Sequence, residues 1–279
     1  MKKPLIILTG PTAVGKTKLS ISLAQAVNGA IISADSMQVY RHMDIGSAKI
    51  RPEEMCGVPH YLIDVLDPSE EFHVVKFVEL AHEAMEKIYA AGQIPIVTGG
   101  TGFYIQALLK EVDFTESHGE LPIRKQLEEK AATEEGAAEL YRELSEVDPA
   151  SAETIHPNNV KRVIRALEYY HETGQKISEH NEEQKQKESP YCSAYFVLND
   201  ERSILYDRID RRVDQMICDG LVDEVFRLKE MGYTRDLVSM QGLGYKELFP
   251  YLAGECTLEE AVYIIKRDTR HFAKRQLTW

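Results

Sequence analysis

The sequence predicts an α/β fold, a P-loop-type doubly wound parallel sheet carrying an inserted all-helical domain. Three observations predict it. Residues 5–17 (LIILTGPTAVGKT) are an aliphatic run that ends in Gly10 and closes, four residues later, with Gly15, Lys16 and Thr17, the spacing G-x-x-x-x-G-K-[ST]. Strand-like runs then alternate with segments of helical period as far as residue 112, as in a parallel sheet with crossover helices. Between residue 112 and about residue 190 the strand pattern vanishes, and charged helical sequence runs until strand and helix patterns resume. This divides the chain into a core of residues 1–112 and 191–279 and an insertion of residues 113–190.

In the opening loop the glycines let backbone N–H groups turn inward around an anion, Lys16 adds a point charge, and the Thr17 hydroxyl is placed for a magnesium ion. A strand-like run before it and an amphipathic helix over residues 18–27 separate a phosphate cradle from an incidental glycine turn. Gly10, Pro11, Thr12, Ala13, Val14, Gly15, Lys16 and Thr17 are therefore the candidate diphosphate site. The pattern leaves the owner of the diphosphate open, ATP or another nucleotide included.

Residues 30–33 read as a short buried strand ending at Asp35, Ser36, Met37 and Gln38, and strand carboxyl ends in such sheets gather at one crevice. Asp35 reads equally as a base facing that crevice or as the cap of the following turn. Residues 41–55 read as a mobile polar segment, with Gly46, Ser47 and Lys49 in a loop near the crevice. A third strand is expected over residues 60–65, stopped by Asp67-Pro68, and a helix over residues 72–91, where Val74, Val78, Ala81, Met85 and Ile88 recur at helical spacing before Gly92. Residues 94–98 form the next strand and run into Gly99-Gly100-Thr101-Gly102 and a helix over residues 103–110. A nucleotide hydrolase usually ends such a strand in a magnesium-holding acid; here glycines permit close approach to the backbone and Thr101 offers a hydroxyl.

The insertion holds 17 acids and 10 bases between Glu116 and Ser189, with a helix stop at Asp148-Pro149. Lys161, Arg162 and Arg165 fall within about one helical turn and make a positive patch in this acidic segment. Read alone, the trio favours a solvated face over a phosphate grip. Residues 179–188 read as a solvated linker and residues 195–198 as a strand. A long helix over residues 203–228, broken or capped at Gly220, clusters Arg208, Arg211 and Arg212. These arginines either close over a bound anion or bridge to Asp207, Asp210 and Asp214. Residues 240–246 form a glycine-rich turn, and residues 258–277 a basic amphipathic helix. From Lys266 to Trp279 there are five bases and one acid, and the chain stops within this basic sequence, which reads as a truncated or partly disordered C-terminus.

With 279 residues and 43% hydrophobic content, the chain can bury a full core with room for a second lobe. No apolar run approaches the roughly 20 residues needed to span a bilayer, and no signal-peptide pattern precedes the loop, so a cytoplasmic location without a membrane is expected. Cys56, Cys192, Cys218 and Cys256 lack zinc-ligand spacing and are expected to be reduced thiols in packed positions. A net charge of −12 disfavours a protein coated in nucleic acid, so any RNA contact must be local. No internal repeat is present.

The sequence resembles the bacterial tRNA dimethylallyltransferases (tRNA isopentenyl-pyrophosphate transferases) over nearly its whole length. The motifs are GPTAVGKT at 10–17, SADSMQVY at 33–40, GSAK at 46–49, PHYLID at 59–64, GGTGFY at 99–104, KRVIRAL at 161–167, GLGY at 242–245 and TRHFAKRQLTW at 269–279. Each alone is weak; together and in register they are highly specific.

The resemblance implies transfer of a dimethylallyl group from dimethylallyl diphosphate to N6 of the adenosine 3′-adjacent to the anticodon in tRNA. It implies that the loop and Lys16 hold the leaving diphosphate with a magnesium ion on Thr17, that Arg208 and Arg212 complete the anion clamp, and that Asp35 is the general base. Thr101 would orient the reacting base, which must leave its stack to react near Asp35, Ser36, Met37 and Gln38. Lys161, Arg162, Val163, Ile164 and Arg165, with Gly242, Leu243, Gly244, Tyr245, Lys246 and Glu247, would hold the anticodon stem-loop by backbone contact and shape. The resemblance thus turns the basic trio from a solvated face into an RNA grip. A monomer is expected. Two other readings remain: a P-loop kinase for a small molecule or nucleotide, with Asp35 activating a hydroxyl, and a nucleotide-gated RNA-binding protein without chemistry.

Overall fold

The computed structural model describes residues 2–113 and 122–278; residues 114–121 of the expected insertion and Trp279 lie outside them. Five strands, β1 (Lys3–Thr9), β2 (Gly29–Ser33), β3 (His60–Tyr61), β4 (Ile94–Gly99) and β5 (Tyr191–Val197), form one parallel sheet in the order β3-β2-β4-β1-β5. Crossovers run through α1 (Lys16–Val27), α2 (Val74–Ala90) and α3 (Gly102–Lys110). Successive residues of the central strands are buried on opposite faces, as a sheet covered on both sides requires. Leu5, Ile7, Ala30, Ile32 and Val97 join the main core with Phe77, Ala81, Met85 and Ile88 of α2, whereas Ile31 and Ile96 pack with Ala24 of α1. The α/β parallel-sheet class read from the sequence is the class observed.

Contact clustering divides the chain into two compact units, Met1–Leu109 with Pro190–Trp279, and Lys110–Ser189. Within the second lie α4 (Pro122–Lys130), α5 (Glu134–Val147), α6 (Pro149–Thr154), α7 (Val160–Thr173) and α8 (Ile177–Gln186). They bury their own core of Leu127, Leu140, Leu144, Val163, Ile164 and Leu167. The buried carboxylate of Asp148 starts two of these helices, accepting from the amide and hydroxyl of Ser151 in α6 and of Ser178 in α8. Its four donors hold the carboxyl below the usual carboxylate range against the opposing effect of burial, the largest single influence.

The first unit is completed by α9 (Arg202–Cys218), α10 (Leu221–Glu230), α11 (Leu248–Leu252) and α12 (Leu258–Leu277). The break expected at Gly220 falls there, with the glycine at φ 98° between α9 and α10. Thr257 and Glu260 start α12 with reciprocal side chain to backbone hydrogen bonds.

Several expectations are corrected. The third strand is two residues long, because Leu62 and Asp64 adopt positive φ and turn the chain out of the sheet. The strand expected at residues 195–198 begins at Tyr191, paired with Lys3. Residues 179–188, expected as a solvated linker, fall mostly within α8, which is held by the Asp148 bonds to Ser178 and by the amide of Asp113 donating to Gln184. Three cysteines, Cys56, Cys192 and Cys218, are exposed instead of packed, and all four are free thiols. No helix among the described residues is long and apolar enough to cross a membrane.

Residues 41–55 are pinned instead of loose. Lys49 is buried, donates to the Tyr40 carbonyl at 2.7 Å and pairs with Asp44 and Asp64. The buried Glu224 accepts from the amides of Asp44 (3.0 Å), Ile45 (2.8 Å) and Gly46 (3.1 Å) and from the Tyr245 hydroxyl (2.7 Å). One carboxylate thereby satisfies four donors that would otherwise stay desolvated. Glu224→Ala leaves all four unpaired and is expected to lower stability by about 3 kcal/mol, against about 1 to 2 kcal/mol for Tyr245→Phe, which removes one of those donors and the acceptor of the Ser47 amide. Urea unfolding midpoints of the two variants measure this.

Candidate functional site

Sheet polarity brings the carboxyl ends of β1, β2 and β4 to one edge, and three loops leave from there. After β1, Gly10 turns at φ 149°, and a methyl group there would strike the carbonyl oxygen of Leu198, so only glycine fits. Ala13 (φ 63°) and Gly15 (φ 96°) continue the turn, and α1 starts at Lys16, two residues earlier than its sequence pattern, so the helix N-terminus faces the loop. The Lys16 ammonium reaches back across the loop and donates to the carbonyls of Gly10 and Pro11, each at 2.8 Å.

After β2 stands Asp35. Its Oδ1 accepts from the amides of Met37 (2.8 Å) and Gln38 (3.4 Å), while Oδ2 takes no hydrogen bond among the described residues. The capping reading is thus observed at one oxygen, and the other has no protein partner among the described residues. Gln38 is fixed at both ends, its Oε1 accepting from the Ser33 hydroxyl at 3.0 Å and its Nε2 donating toward the carbonyls of Ser47 and Ala48. β4 ends at Gly99, where a methyl group would strike the Ala34 carbonyl oxygen, so the peptide beside Asp35 lies against the strand that leads to Thr101.

Lys16, Thr17, Asp35, Gln38 and Thr98 line one open cleft with a cavity volume of about 60 Å³, together with Ile31, Ile50, Ile63 and His60. Burial lowers the pKa of His60, and its Nδ1 lies 2.8 Å from the Val58 carbonyl, which fixes the ring proton there and leaves the other nitrogen as an acceptor. Burial also pushes Lys16 down to about 8, with Asp35 raising it and Arg212 lowering it further. Arg212 is itself lowered by burial and supported by Asp35. Two cations and one carboxylate thus act on each other across the cleft, and Arg212 has no ion-pair partner within 4 Å among the described residues.

The other arginines of α9 follow their alternative reading. Arg208 pairs with Asp200 at 2.9 Å, and Arg211 with Asp207 at 2.7 Å, both at the surface. Of the two arginines expected in an anion clamp, Arg208 is paired at the surface and Arg212 is the one coupled to Lys16 and Asp35. Thr101 precedes α3, its carbonyl accepting the amides of Tyr104 and Ile105, and it is not among the residues lining the cleft.

Of the segment expected on RNA in the insertion, Val163 and Ile164 are buried in its core, and Arg165 is tied at 2.9 Å to the buried Glu168, which also takes Arg124. Lys161 and Arg162 remain exposed. Gly242, Gly244, Tyr245 and Glu247 are likewise buried, leaving Leu243 and Lys246 partly accessible, and Gly242 packs on the Met37 side chain. The basic end helix is largely neutralised, since Lys266, Arg267 and Arg270 pair with Asp214, Asp268 and Asp210.

A magnesium ion fits this donor set only in one form. Among the described residues no three acids, histidines or cysteines stand together as a metal cage. Among the described residues the Thr17 hydroxyl has no hydrogen-bond partner, and neither has the buried Thr98 hydroxyl of the same cleft, where a hydrolase would carry its acid. One hydroxyl ligand, with diphosphate and water oxygens as the rest, is the usual arrangement for magnesium brought in on a phosphate. Ser33, His60 and Thr98 were not singled out from the sequence; the available signal was a polar residue interrupting each apolar strand on the α1 face.

Comparison with known proteins agrees with this architecture. The profile of the IPP transferase family matches residues 38–279, and that of isopentenyl transferases matches residues 3–72. A tRNA dimethylallyltransferase of Lachnoclostridium phytofermentans is 67% identical over 277 residues, 99% of this chain and 88% of that one. The full-length tRNA isopentenylpyrophosphate transferase of Bacillus halodurans superposes with a TM-score of 0.73 at 47% identity, covering 100% of this chain and 86% of that one. A eukaryotic dimethylallyltransferase acting on tRNA superposes with a TM-score of 0.87 at 37% identity, covering 99% and 69% of the two chains.

The lowered Lys16 pKa has a measurable consequence. Below about 8 the ammonium is present and attracts an anion; above it the free cleft holds a neutral amine. Inorganic diphosphate is expected to bind progressively more weakly as pH rises through that value, by up to about tenfold per pH unit. Lys16→Ala should bind weakly throughout and lose this dependence, which calorimetric titration across pH 7 to about 9.5 would resolve.

Proposed function

The chain belongs to the IPP transferase family, and on that premise we infer that it transfers a dimethylallyl group from dimethylallyl diphosphate to N6 of the adenosine 3′-adjacent to the anticodon in tRNA, releasing diphosphate. The observation that carries the mechanism is the cleft shared by Lys16, Thr17 and Asp35 beside the glycine loop, with the buried Arg212 guanidinium close enough to act on Lys16 and Asp35. A kinase reading is less well served, because β4 ends in Thr98 and Gly99 where phosphoryl transfer would use a magnesium-holding acid.

In the reaction the bond from the allyl carbon to the diphosphate oxygen breaks, and its electron pair leaves with the diphosphate. A new bond forms from N6 to that carbon, and N6 surrenders a proton. The departing charge meets the loop amides nearer Gly15, the Lys16 ammonium once it turns from the Gly10 and Pro11 carbonyls, and the Arg212 guanidinium, in a partly water-excluded site. A magnesium ion held in part by Thr17 would supply further neutralisation of the diphosphate. The adenine amine is a weak nucleophile because its lone pair is delocalised, so proton removal by Asp35 Oδ2 assists attack. Oδ1 stays on the turn amides and fixes the carboxylate plane.

The target base must leave the anticodon stack to reach such a cleft. We assign the RNA backbone contacts to exposed side chains, Lys161 and Arg162 on the insertion and Lys246 on the core, because Val163, Ile164 and Tyr245 are enclosed in protein.

Incubation with labelled dimethylallyl diphosphate, magnesium and unmodified tRNA, with and without ATP, tests the reading; label in tRNA without ATP is expected, and ATP-dependent phosphorylation of a small acceptor would replace it with the kinase. Asp35→Ala should keep tRNA affinity within about twofold while transfer falls by roughly 10²- to 10⁴-fold. Lys161→Glu with Arg162→Glu should weaken tRNA binding and reduce the slope of log affinity against log salt by about 2, measured by filter binding; an unchanged slope would return both residues to plain surface.

A further inference from the structure

Gln276 lies near the end of α12, far in sequence from the glycine loop, yet its side chain bridges two parts of the site. Its Oε1 accepts the amide of Thr12 at 2.8 Å, inside the diphosphate loop, and its Nε2 donates to the carbonyl of Gly100 at 3.1 Å, one residue before Thr101. The room for this bridge exists only because residue 100 is glycine, since a methyl group there would overlap the Gln276 amide nitrogen. Thr9 adds a third tie, its hydroxyl donating to the Gly99 carbonyl at 3.0 Å.

We propose that Gln276 is a positioning residue for the transfer reaction, fixing the separation between the diphosphate cradle and the Thr101 turn so that donor and acceptor meet in register. A primary amide is suited to this: its carbonyl satisfies a loop N–H, its NH₂ satisfies a carbonyl of the neighbouring turn, and neither end adds charge beside the diphosphate. No aliphatic side chain can do both, and a carboxylate can do only the first. The loop amide of Thr12 is thereby committed to protein, which restricts anion binding to the amides nearer Gly15 and sets the diphosphate toward Lys16. The inference rests on the prenyl-transfer reading above, and the wild-type reaction separates the two: if wild type does not label tRNA, the reading fails before Gln276 is at issue.

Steady-state kinetics with dimethylallyl diphosphate and tRNA on the wild type, Gln276→Ala and Gln276→Glu, each with its melting temperature, provide the test. Gln276→Ala is expected to lower kcat by about tenfold to a hundredfold, the scale of a small misplacement in a positioned reaction, with KM for tRNA within about twofold and a melting temperature within a few degrees of wild type. Gln276→Glu keeps the Thr12 bond but loses the Gly100 bond and brings a negative charge to the cradle. Its KM for the diphosphate donor should rise about tenfold at pH 8, and its activity relative to wild type should recover as pH falls and the carboxyl regains a proton to donate. A scaffold role alone would not give that pH-dependent recovery. Alanine activity within twofold of wild type, a loss accounted for by a lowered melting temperature, or a glutamate variant whose relative activity is flat with pH overturns the proposal.

Discussion

The site depends on how closely the strand tips approach one another. Gly10 lies against the Leu198 carbonyl and Gly99 against the Ala34 carbonyl, so the ends of β1 and β4 touch the chain leaving β5 and β2 with no room for a side chain. Parallel pairing already places these ends on one edge of the sheet; the glycines convert that shared edge into backbone contact. A glycine loop, a carboxylate on a turn and a threonine-bearing turn consequently open from a single patch of backbone, whose geometry is held by peptide packing more than by side-chain conformers.

On that rigid base the charges are arranged without mutual cancellation. Several cations of the core unit are neutralised by an acid: Lys49 has Asp44 and Asp64, Arg208 has Asp200, Arg270 has Asp210. Lys16 and Arg212 are not, and both lose basicity through burial. A field of this kind, unbalanced and partly shielded from solvent, favours an incoming multivalent anion and favours it more as negative charge builds on a departing group. Asp35 opposes part of that loss of basicity, because its carboxylate favours the charged form of both cations.

The fold class was legible because its signals are local. The glycine loop, the alternation of apolar runs with helical periods, and the change of grammar after residue 112 each need only a window of sequence. The third strand ended early because Leu62 and Asp64 take left-handed conformations that their residue types do not announce. The helix of residues 177–186 was hidden by its low hydrophobicity, being held at its start by a buried aspartate about 30 residues upstream. In the candidate site, the loop and Asp35 could be read from sequence, and so could an arginine cluster on α9. Which arginine faces the cleft could not, since Arg208 and Arg212 lie on one face of the helix and only Asp200, supplied by the preceding turn, separates them. Gln276 was invisible to any local reading because both of its partners are more than a hundred residues away.

The two hydrogen bonds from Lys16 to the Gly10 and Pro11 carbonyls fold the ammonium back onto the loop. Any incoming ligand must displace an internal competitor, so capture is an exchange. A weakly charged solute recovers little when the ammonium swings away from two carbonyl oxygens, whereas a diphosphate offers it several oxygens at once. A lysine held in this way discriminates by charge, since exchanging two carbonyl bonds for one weak anionic contact gains little and exchanging them for several strong ones gains much.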